Sequence, residues 1–120
     1  MNYKTFKYKK YGDCYFNVGS YMHNKQSMAI SIVSTEGESI TVVTVNMNNY
    51  FYEPDTATIK NYSENAGITK FLEKLGIIEE IYSRAKCNPY ASKDETIDYC
   101  LINMEKLKEY TREFNYEWNI

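Results

Sequence analysis

The sequence predicts an α+β domain in which a mainly antiparallel sheet of about five to six strands carries two helices on one face. Three observations lead to this fold class. Apolar and β-branched residues recur with a period near two from residue 3 to residue 47, a short helical stripe follows Asn65, and later strand patterns precede an aromatic segment of helical spacing. Since 120 residues is the size of one ordinary domain, we expect a single domain over residues 1–120.

The first half is typical of an antiparallel meander. "YKTFKYKKY" places Phe6 and Tyr8 opposite Lys7 and Lys9, and "CYFNVGSYM" continues in the same style. The runs "SMAISIVST" and "ESITVVTVNM" alternate in the same way, and the turn "TEGE" between them predicts a β-hairpin. The polar stretch "HNKQ" at 23–26 predicts the preceding turn.

A short helix is predicted after the polar segment "NYSEN". Its apolar stripe consists of Ile68, Phe71, Leu72 and Leu75. Gly76 follows as the expected C′ residue, while Ser63 or Asn65 is expected to cap the N-terminus, with Glu64 favourably near the positive helix end. Asn61 and Asn46 are expected to hold the crossing from strand to helix together.

Two strand patterns and a closing helix make up the second half. The strands are "IIEEIYSRAKC" and "TIDYCLINM", separated by the loop "NPYASKDE". Asn103 is the expected cap of a C-terminal helix over about residues 104–118. Its apolar stripe consists of Leu107, Tyr110, Phe114 and Trp118.

Composition and charge favour a binding protein. The chain has 13 Tyr, 5 Phe and 1 Trp, and tyrosines serve both half-buried sheet faces and protein interfaces. The net charge of −2 gives no general attraction to nucleic acid or anionic membrane. Its distribution is uneven, with a balance of +4 up to residue 35 and −6 beyond it, so an acidic face could meet a basic partner.

Few residues are suited to chemistry. Cys14, Cys87 and Cys100 form no CxxC pair, and the start of the chain has no apolar leader, so we expect reduced thiols and a cytoplasmic location. No apolar run approaches the ~20 residues needed to cross a bilayer, so we expect a soluble protein. His23 is the single histidine, too few for a recognisable zinc site. The acidic cluster of Asp94, Glu95 and Asp98 lacks the ligand pattern of a calcium loop. We expect no metal and no cofactor.

The known catalytic and nucleotide-binding motifs are missing from the sequence, which contains no GxxxxGK[ST], GxGxxG, GxSxG or HExxH. Glu79 and Glu80 are neighbours in a strand pattern, and neighbours in a strand point to opposite faces, so they cannot flank one bond together. The sequence therefore predicts a protein that is not an enzyme. A small enzyme would need a deep polar pocket as its structural sign.

The run "TVVTVNM" at 41–47, followed by "ATIKNYSENAGITKFLEKLGII" at 57–78, resembles a small domain-of-unknown-function family of phages and conjugative elements. The matching features are a TVNL-like strand end and an "IKNYSEN" segment before "GI..FL". The resemblance covers roughly residues 28–85, and the sequence departs from the family pattern after residue 86. It implies no catalytic residues. It implies an accessory role, because small proteins of mobile elements often disable a host defence nuclease by binding it.

We therefore expect a phage or mobile-element accessory protein, located in the cytoplasm of the bacterial host cell. It would bind and inhibit a host defence protein, above all a CRISPR effector nuclease such as Cas9, as an anti-CRISPR inhibitor. The expected interface consists of Tyr110, Arg112, Phe114, Tyr116 and Trp118, with acidic support from Glu79, Glu80, Asp94 and Glu95. Packing of this aromatic tail on the sheet is the alternative. We expect no membrane contact, and a homodimer is left open.

The alternative function is a nucleic-acid-binding accessory protein of the same elements. Its candidate residues are Lys4, Lys7, Lys9 and Lys10, whose charges could neutralise phosphates while neighbouring aromatic rings stack on unpaired bases. An edge strand protected by lysines has the same sequence pattern, and we favour the edge strand. Direct binding of nucleic acid is therefore not expected.

Overall fold

A computed structural model describes residues 2–47 and 52–117, which form eight strands and two helices. The strands are β1 (Phe6–Lys7), β2 (Asp13–Tyr21), β3 (Asn24–Ser34), β4 (Ser39–Val42), β5 (Thr56–Asn61), β6 (Ile78–Lys86), β7 (Thr96–Ile102) and β8 (Thr111–Phe114). The helices are α1 (Ile68–Leu75) and α2 (Met104–Glu109). The predicted α+β class is confirmed, but the strands form two sheets where one of five to six strands was expected.

Sheet A contains the N-terminal strands. Its antiparallel order is β1-β2-β3-β4, and β8 pairs with β2 in parallel on the edge that β1 also occupies. The predicted hairpin is confirmed as β3 and β4, joined by a turn in which Gly37 has a φ of 89°. That positive φ explains the glycine, because residues with a Cβ atom rarely adopt it.

Sheet B consists of β5, β7 and β6 in that spatial order, all antiparallel. The chain directly after β4 joins the two sheets. Val45 N donates to Thr58 O at 2.9 Å, and Lys60 N donates to Val43 O at 2.8 Å. These bonds satisfy the outer edge of β5, so sheet B keeps one unpaired edge among the described residues, that of β6.

The hydrophobic core lies between the sheets and α1. The stripe predicted for α1 is confirmed, since Ile68 and Leu72 are buried and Phe71 packs on two rings of the N-terminal segment. The centroid of the Phe71 ring lies 5.6 Å from that of Phe6 and 5.2 Å from that of Tyr8. Burial of each such side chain contributes about 1.5–3 kcal/mol.

The predicted helix over residues 104–118 is wrong in its length. The helix starts where expected, with Asn103 Oδ1 accepting a hydrogen bond from Lys106 N at 3.0 Å, but it ends at Glu109. Residues 111–114 form β8 instead, and Glu113 N donates to Asn17 Oδ1 at 3.1 Å. A longer helix would leave this part of the edge of β2 without partners. Trp118 lies outside the described residues.

Two further segments depart from the predicted pattern. The N-terminal run forms only the two-residue β1, because a 3-10 turn at Lys9–Tyr11 reverses the chain toward β2. β5 was not predicted as a strand, because nearly all of its residues are buried and no alternation marks it.

The side chain of Asn61, the last residue of β5, binds backbone N–H groups at the start of α1. Its Oδ1 atom accepts hydrogen bonds from Gly67 N at 3.1 Å and Thr69 N at 3.0 Å. Its Nδ2 atom donates to Thr96 Oγ1 at 3.0 Å, in the neighbouring β7. One buried amide therefore fixes the helix on two strands, which confirms the expected role of Asn61 in the crossing.

The residues predicted as helix caps have other roles. Ser63 and Asn65 lie in a 3-10 turn that precedes the helix, so the prediction that one of them caps α1 is wrong. Asn65 instead accepts from Thr41 Oγ1 and donates to Val42 O, both at 2.7 Å, and thereby covers the outer edge of β4. Asn46 accepts a hydrogen bond from Asn24 Nδ2 at 3.3 Å in β3.

Replacing Asn61 with alanine is expected to lower the free energy of unfolding by about 2 kcal/mol, because Gly67 N and Thr69 N lose their acceptor at the start of α1. Urea unfolding followed by circular dichroism measures the loss. Ser63→Ala is the matched control and should cost less than about 0.5 kcal/mol. A Ser63→Ala loss equal to that of Asn61→Ala would contradict the assignment of the cap.

Candidate functional site

Sheet B has two different faces. In β7, Thr96, Asp98 and Cys100 are buried on the side that α1 covers. The alternate residues Ile97 and Tyr99 lie on the outer face and are only half-buried. The alternation follows from the two-residue period of a strand, and it leaves apolar and aromatic surface on the outer face.

Tyrosine rings and carboxylates meet at one end of this outer face. The centroids of the Tyr82 and Tyr99 rings lie 5.9 Å apart, and Glu53 N donates to Tyr99 Oη at 3.4 Å. Glu79 and Glu80, at the start of β6, are exposed beside Tyr82. We call Glu53, Glu79, Glu80, Tyr82 and Tyr99 the acidic tyrosine patch.

The patch has a negative potential. Partial burial and the nearby carboxylates of Glu80, Glu53 and Glu79 raise the pKa of Tyr82. Tyr82 is nevertheless 48% exposed, so its ring is available to a partner. Aromatic rings next to carboxylates bind cationic side chains well, because both the ring face and the charge attract them.

An ion pair between the half-exposed Arg84 and the fully buried Asp98 holds the edge strand β6 to the sheet. The Asp98 carboxylate is completely buried in β7, and it accepts from Arg84 Nε at 2.8 Å, Arg84 Nη2 at 3.0 Å and Thr69 Oγ1 at 2.7 Å. Burial opposes ionisation of Asp98, but the hydrogen bonds from Arg84, Thr69 and Thr96 outweigh it and hold its pKa below the usual value. The pair thus connects β6, β7 and α1.

The aromatic tail lies mostly against the protein. Tyr116 is 7% exposed, and its hydroxyl donates to Gln26 O at 2.8 Å. Tyr110 and Phe114 are half-buried beside the core. Arg112 is exposed and donates to Tyr15 Oη at 3.2 Å. Among the four predicted interface residues that the structure describes in this segment, only Arg112 offers an exposed side chain, so the partner role of the tail stays a prediction.

The predicted acidic residues fall at opposite ends of β6. Glu79 and Glu80 belong to the patch, whereas Asp94 and Glu95 lie in the loop between β6 and β7. Six residues of strand separate Glu80 from the loop end of β6, a distance of about 20 Å. The structure therefore does not bring the four carboxylates into one surface.

The N-terminal lysines are largely occupied by contacts within the chain. Lys4 Nζ lies 2.8 Å from Glu109 Oε1, and Lys7 Nζ lies 3.0 Å from Asp13 Oδ1. Lys9 donates to the backbone oxygen of Glu64 at 3.1 Å, and Lys10 Nζ lies 5.6 Å from the centroid of the Tyr11 ring. The two ion pairs offset the charges of Lys4 and Lys7, whereas Lys9 and Lys10 keep their charges.

The residues considered for metal or thiol chemistry are dispersed. His23 is exposed in the turn between β2 and β3, and no group of three or more His, Cys, Asp or Glu residues within 2–47 and 52–117 is placed to hold a metal ion. All three cysteines are free thiols, and burial raises the pKa of Cys100 to about 12. Within the described part of the chain, no helix is long and apolar enough to cross a membrane.

Sequence reasoning missed three members of the patch. Tyr82 could have been found, because it lies two residues from Glu80 in a recognised strand pattern. Glu53 and Tyr99 gave no such signal, since they come from segments far from β6 in the sequence and meet Tyr82 only through the pairing of sheet B.

Comparison of the chain with known protein families, curated proteins and solved structures gave no match. The family resemblance therefore stays a prediction.

Proposed function

We propose that this protein is a phage or mobile-element accessory protein that binds and inhibits a host defence protein, above all a CRISPR effector nuclease such as Cas9. The observation that carries the proposal is the acidic tyrosine patch, in which the carboxylates of Glu53, Glu79 and Glu80 lie near the exposed ring of Tyr82, and that ring contacts the ring of Tyr99. Such a surface complements a basic surface on another protein.

The mechanism follows from the charge of the patch. A guide-loaded effector nuclease holds nucleic acid in a positively charged channel, and carboxylates placed there compete with phosphates. A net charge of −2 is too small for mimicry of a long duplex, so the specificity must come from a local interface. Tyr82 is the expected anchor, since tyrosines with exposed rings dominate interface energies.

The family resemblance, which comes from the sequence alone, supports the choice of target. It implies a mobile-element setting, in which a host nuclease is a natural opponent. The proposal requires only binding, and it assigns no catalytic residue and no cofactor to the chain.

Cleavage assays with purified, guide-loaded Cas9 proteins test the proposal. Addition of the protein before target DNA is expected to reduce cleavage, with a stable complex visible by size-exclusion chromatography. Affinity capture from bacterial lysate, followed by mass spectrometry, extends the test to other defence proteins. The proposal fails if cleavage is unchanged and capture recovers no defence protein in stoichiometric amount.

Binding of nucleic acid is the second candidate function, favoured by Lys9, Lys10 and the exposed Tyr11 on the N-terminal turn. If these residues bind phosphates and stack on bases, affinity for single-stranded DNA should fall steeply with salt. Because Lys4 and Lys7 are ion-paired within the chain, we expect no measurable binding even at low salt. Fluorescence anisotropy with labelled oligonucleotides measures this, and tight, salt-sensitive binding would favour the second function over the first.

A further inference from the structure

A groove of about 300 Å³ lies on the outer face of sheet B, next to the acidic tyrosine patch. We call it the outer groove, and its walls include Met47, Ser83, Ala85, Ile97 and Tyr99. Most of these side chains are apolar, so the groove can hold an apolar side chain of another molecule. Tyr99 also belongs to the patch. The groove and the patch therefore form one continuous surface.

The register of β6 and β7 sets the spacing along this surface. Ala85 pairs with Ile97 beside the groove, and Ser83 pairs with Tyr99 where the groove meets the patch. Two residues of a strand span about 7 Å, and the side chains of residues i and i+2 in an extended segment point the same way at this spacing. A segment that lies along the strands can therefore place one side chain in the groove and the next but one over the ring of Tyr82, which contacts the ring of Tyr99.

The carboxylates of this surface are not neutralised within the chain. No ion pair within residues 2–47 and 52–117 involves Glu53, Glu79 or Glu80. All three carboxylates lie close enough to Tyr82 to raise the pKa of its hydroxyl. The end of the surface that lies at the patch is therefore negatively charged, and it attracts a cationic side chain.

The cationic groups near the groove are paired or lie elsewhere. Arg84 lines the groove, but its guanidinium group binds the buried carboxylate of Asp98. Lys60 lies on the outer face of β5, where it forms an ion pair with Glu64. Lys86 lies on the opposite face of β6, which α1 covers. These cations therefore leave the negative charge of the patch uncompensated.

We propose that the outer groove and the acidic tyrosine patch together bind an extended segment of the partner protein in which arginine lies two residues from leucine. The inference rests on the proposed function and deepens it, since it names the sequence feature that the partner must offer. The leucine side chain fills the groove. The guanidinium group stacks on the ring of Tyr82 and donates to the carboxylates beside it, which suits its planar shape. An acidic segment is repelled by the same carboxylates.

A labelled peptide of sequence Arg-Thr-Leu-Thr-Arg is the probe, because it presents arginine two residues from leucine in either direction of the chain. Fluorescence anisotropy at low salt measures its affinity for the full-length protein. We expect a Kd of about 100 μM for the wild-type protein. Binding should be about tenfold weaker when alanine replaces leucine in the peptide. It should not be measurable when glutamate replaces both arginines, because these charges then repel the patch.

Variants of the protein test the two halves of the site separately. Ala85→Leu fills the groove from an exposed position in β6, so it should remove the preference for the leucine peptide over the alanine peptide. Glu79→Lys with Glu80→Lys should abolish binding of both peptides. The matched control is Glu36→Lys with Glu38→Lys in the turn between β3 and β4, which changes the net charge equally and should alter the affinity by less than about twofold.

Three results would overturn the proposal. These are no binding at about 1 mM peptide, a preference for leucine that is absent in the wild type or survives Ala85→Leu, and an equal loss in the control and in Glu79→Lys with Glu80→Lys. The peptide assay contains no nuclease, so its failure is distinguishable from failure of the proposed function, which cleavage and capture test. Binding of the peptide with unchanged cleavage would support this site and contradict the nuclease target.

Discussion

Replacing Arg84 with alanine is expected to lower the free energy of unfolding by about 3 kcal/mol at pH 7. Most of this loss comes from Asp98, the partner of Arg84 in the ion pair. Asp98 is fully buried, and two of its hydrogen bonds come from the guanidinium group of Arg84. Removal of Arg84 leaves a buried carboxylate with hydroxyl donors only, and the desolvation of that charge is no longer compensated.

The same substitution should change the dependence of stability on pH. In the wild-type protein the pKa of Asp98 is lowered, so its contribution is present above the pKa of the unfolded chain, about 4, and is lost as the pH falls through the folded-state value. In Arg84→Ala, burial should raise the pKa of Asp98 above 4. Protonation of Asp98 then removes the uncompensated buried charge in the variant. The difference in the free energy of unfolding between the variant and the wild type should therefore shrink as the pH falls from 7 to 4.

Chemical denaturation at several pH values measures both effects. Lys86→Ala is the matched control, because it removes a neighbouring basic side chain on the same face of β6, and it should cost less than about 0.5 kcal/mol. A loss for Arg84→Ala that is no larger than the control, or that is independent of pH, would show that the pair does not hold β6 to the sheet.

Reversing the charges of Glu79 and Glu80 to lysine is expected to weaken binding and inhibition of the target about 100-fold. Both side chains are exposed, so the substitutions should leave the fold intact. In a complex with a basic surface, each new lysine replaces an attraction by a repulsion, and like charges at an interface cost several kcal/mol. About 2.7 kcal/mol corresponds to 100-fold in affinity.

The control for this experiment is the reversal of Glu36 and Glu38, which are exposed in the turn between β3 and β4. It changes the net charge by the same amount, from −2 to +2 when two charges are added at each site. Isothermal titration calorimetry with the captured target compares the two variants. Equal losses would mean that overall charge governs binding, and no loss in either would exclude the patch.

The sequence predicted those elements whose signals are local. The apolar stripe from Ile68 to Leu75, followed by Gly76, predicted α1 correctly. The alternation of side chains along β7 predicted its two faces. The prediction for residues 104–118 was wrong because Leu107, Tyr110 and Phe114 are spaced as in a helix. Residues 111–114 form a strand because they pair with β2, which lies about 95 residues earlier in the sequence. Short segments with long-range partners give weak local signals.

The candidate site was less predictable than the fold. Glu79 and Glu80 were recognised as acidic support, but nothing near them in the sequence indicated Tyr99 or Glu53 as neighbours. The ion pair of Arg84 and Asp98 could not be predicted from the sequence either, because only the register of β6 against β7 sets them opposite each other. The role of Asn61 was anticipated, although the helix cap was assigned to Ser63 or Asn65.

Hydrogen–deuterium exchange of the protein, alone and bound to its captured target, tests most directly whether the chain acts through the acidic tyrosine patch. We predict slower exchange in the complex for residues 52–55 and 79–82, with little change in the N-terminal turn. Protection confined to residues 2–16 and 104–117, with the patch exchanging as in the free protein, would contradict the account.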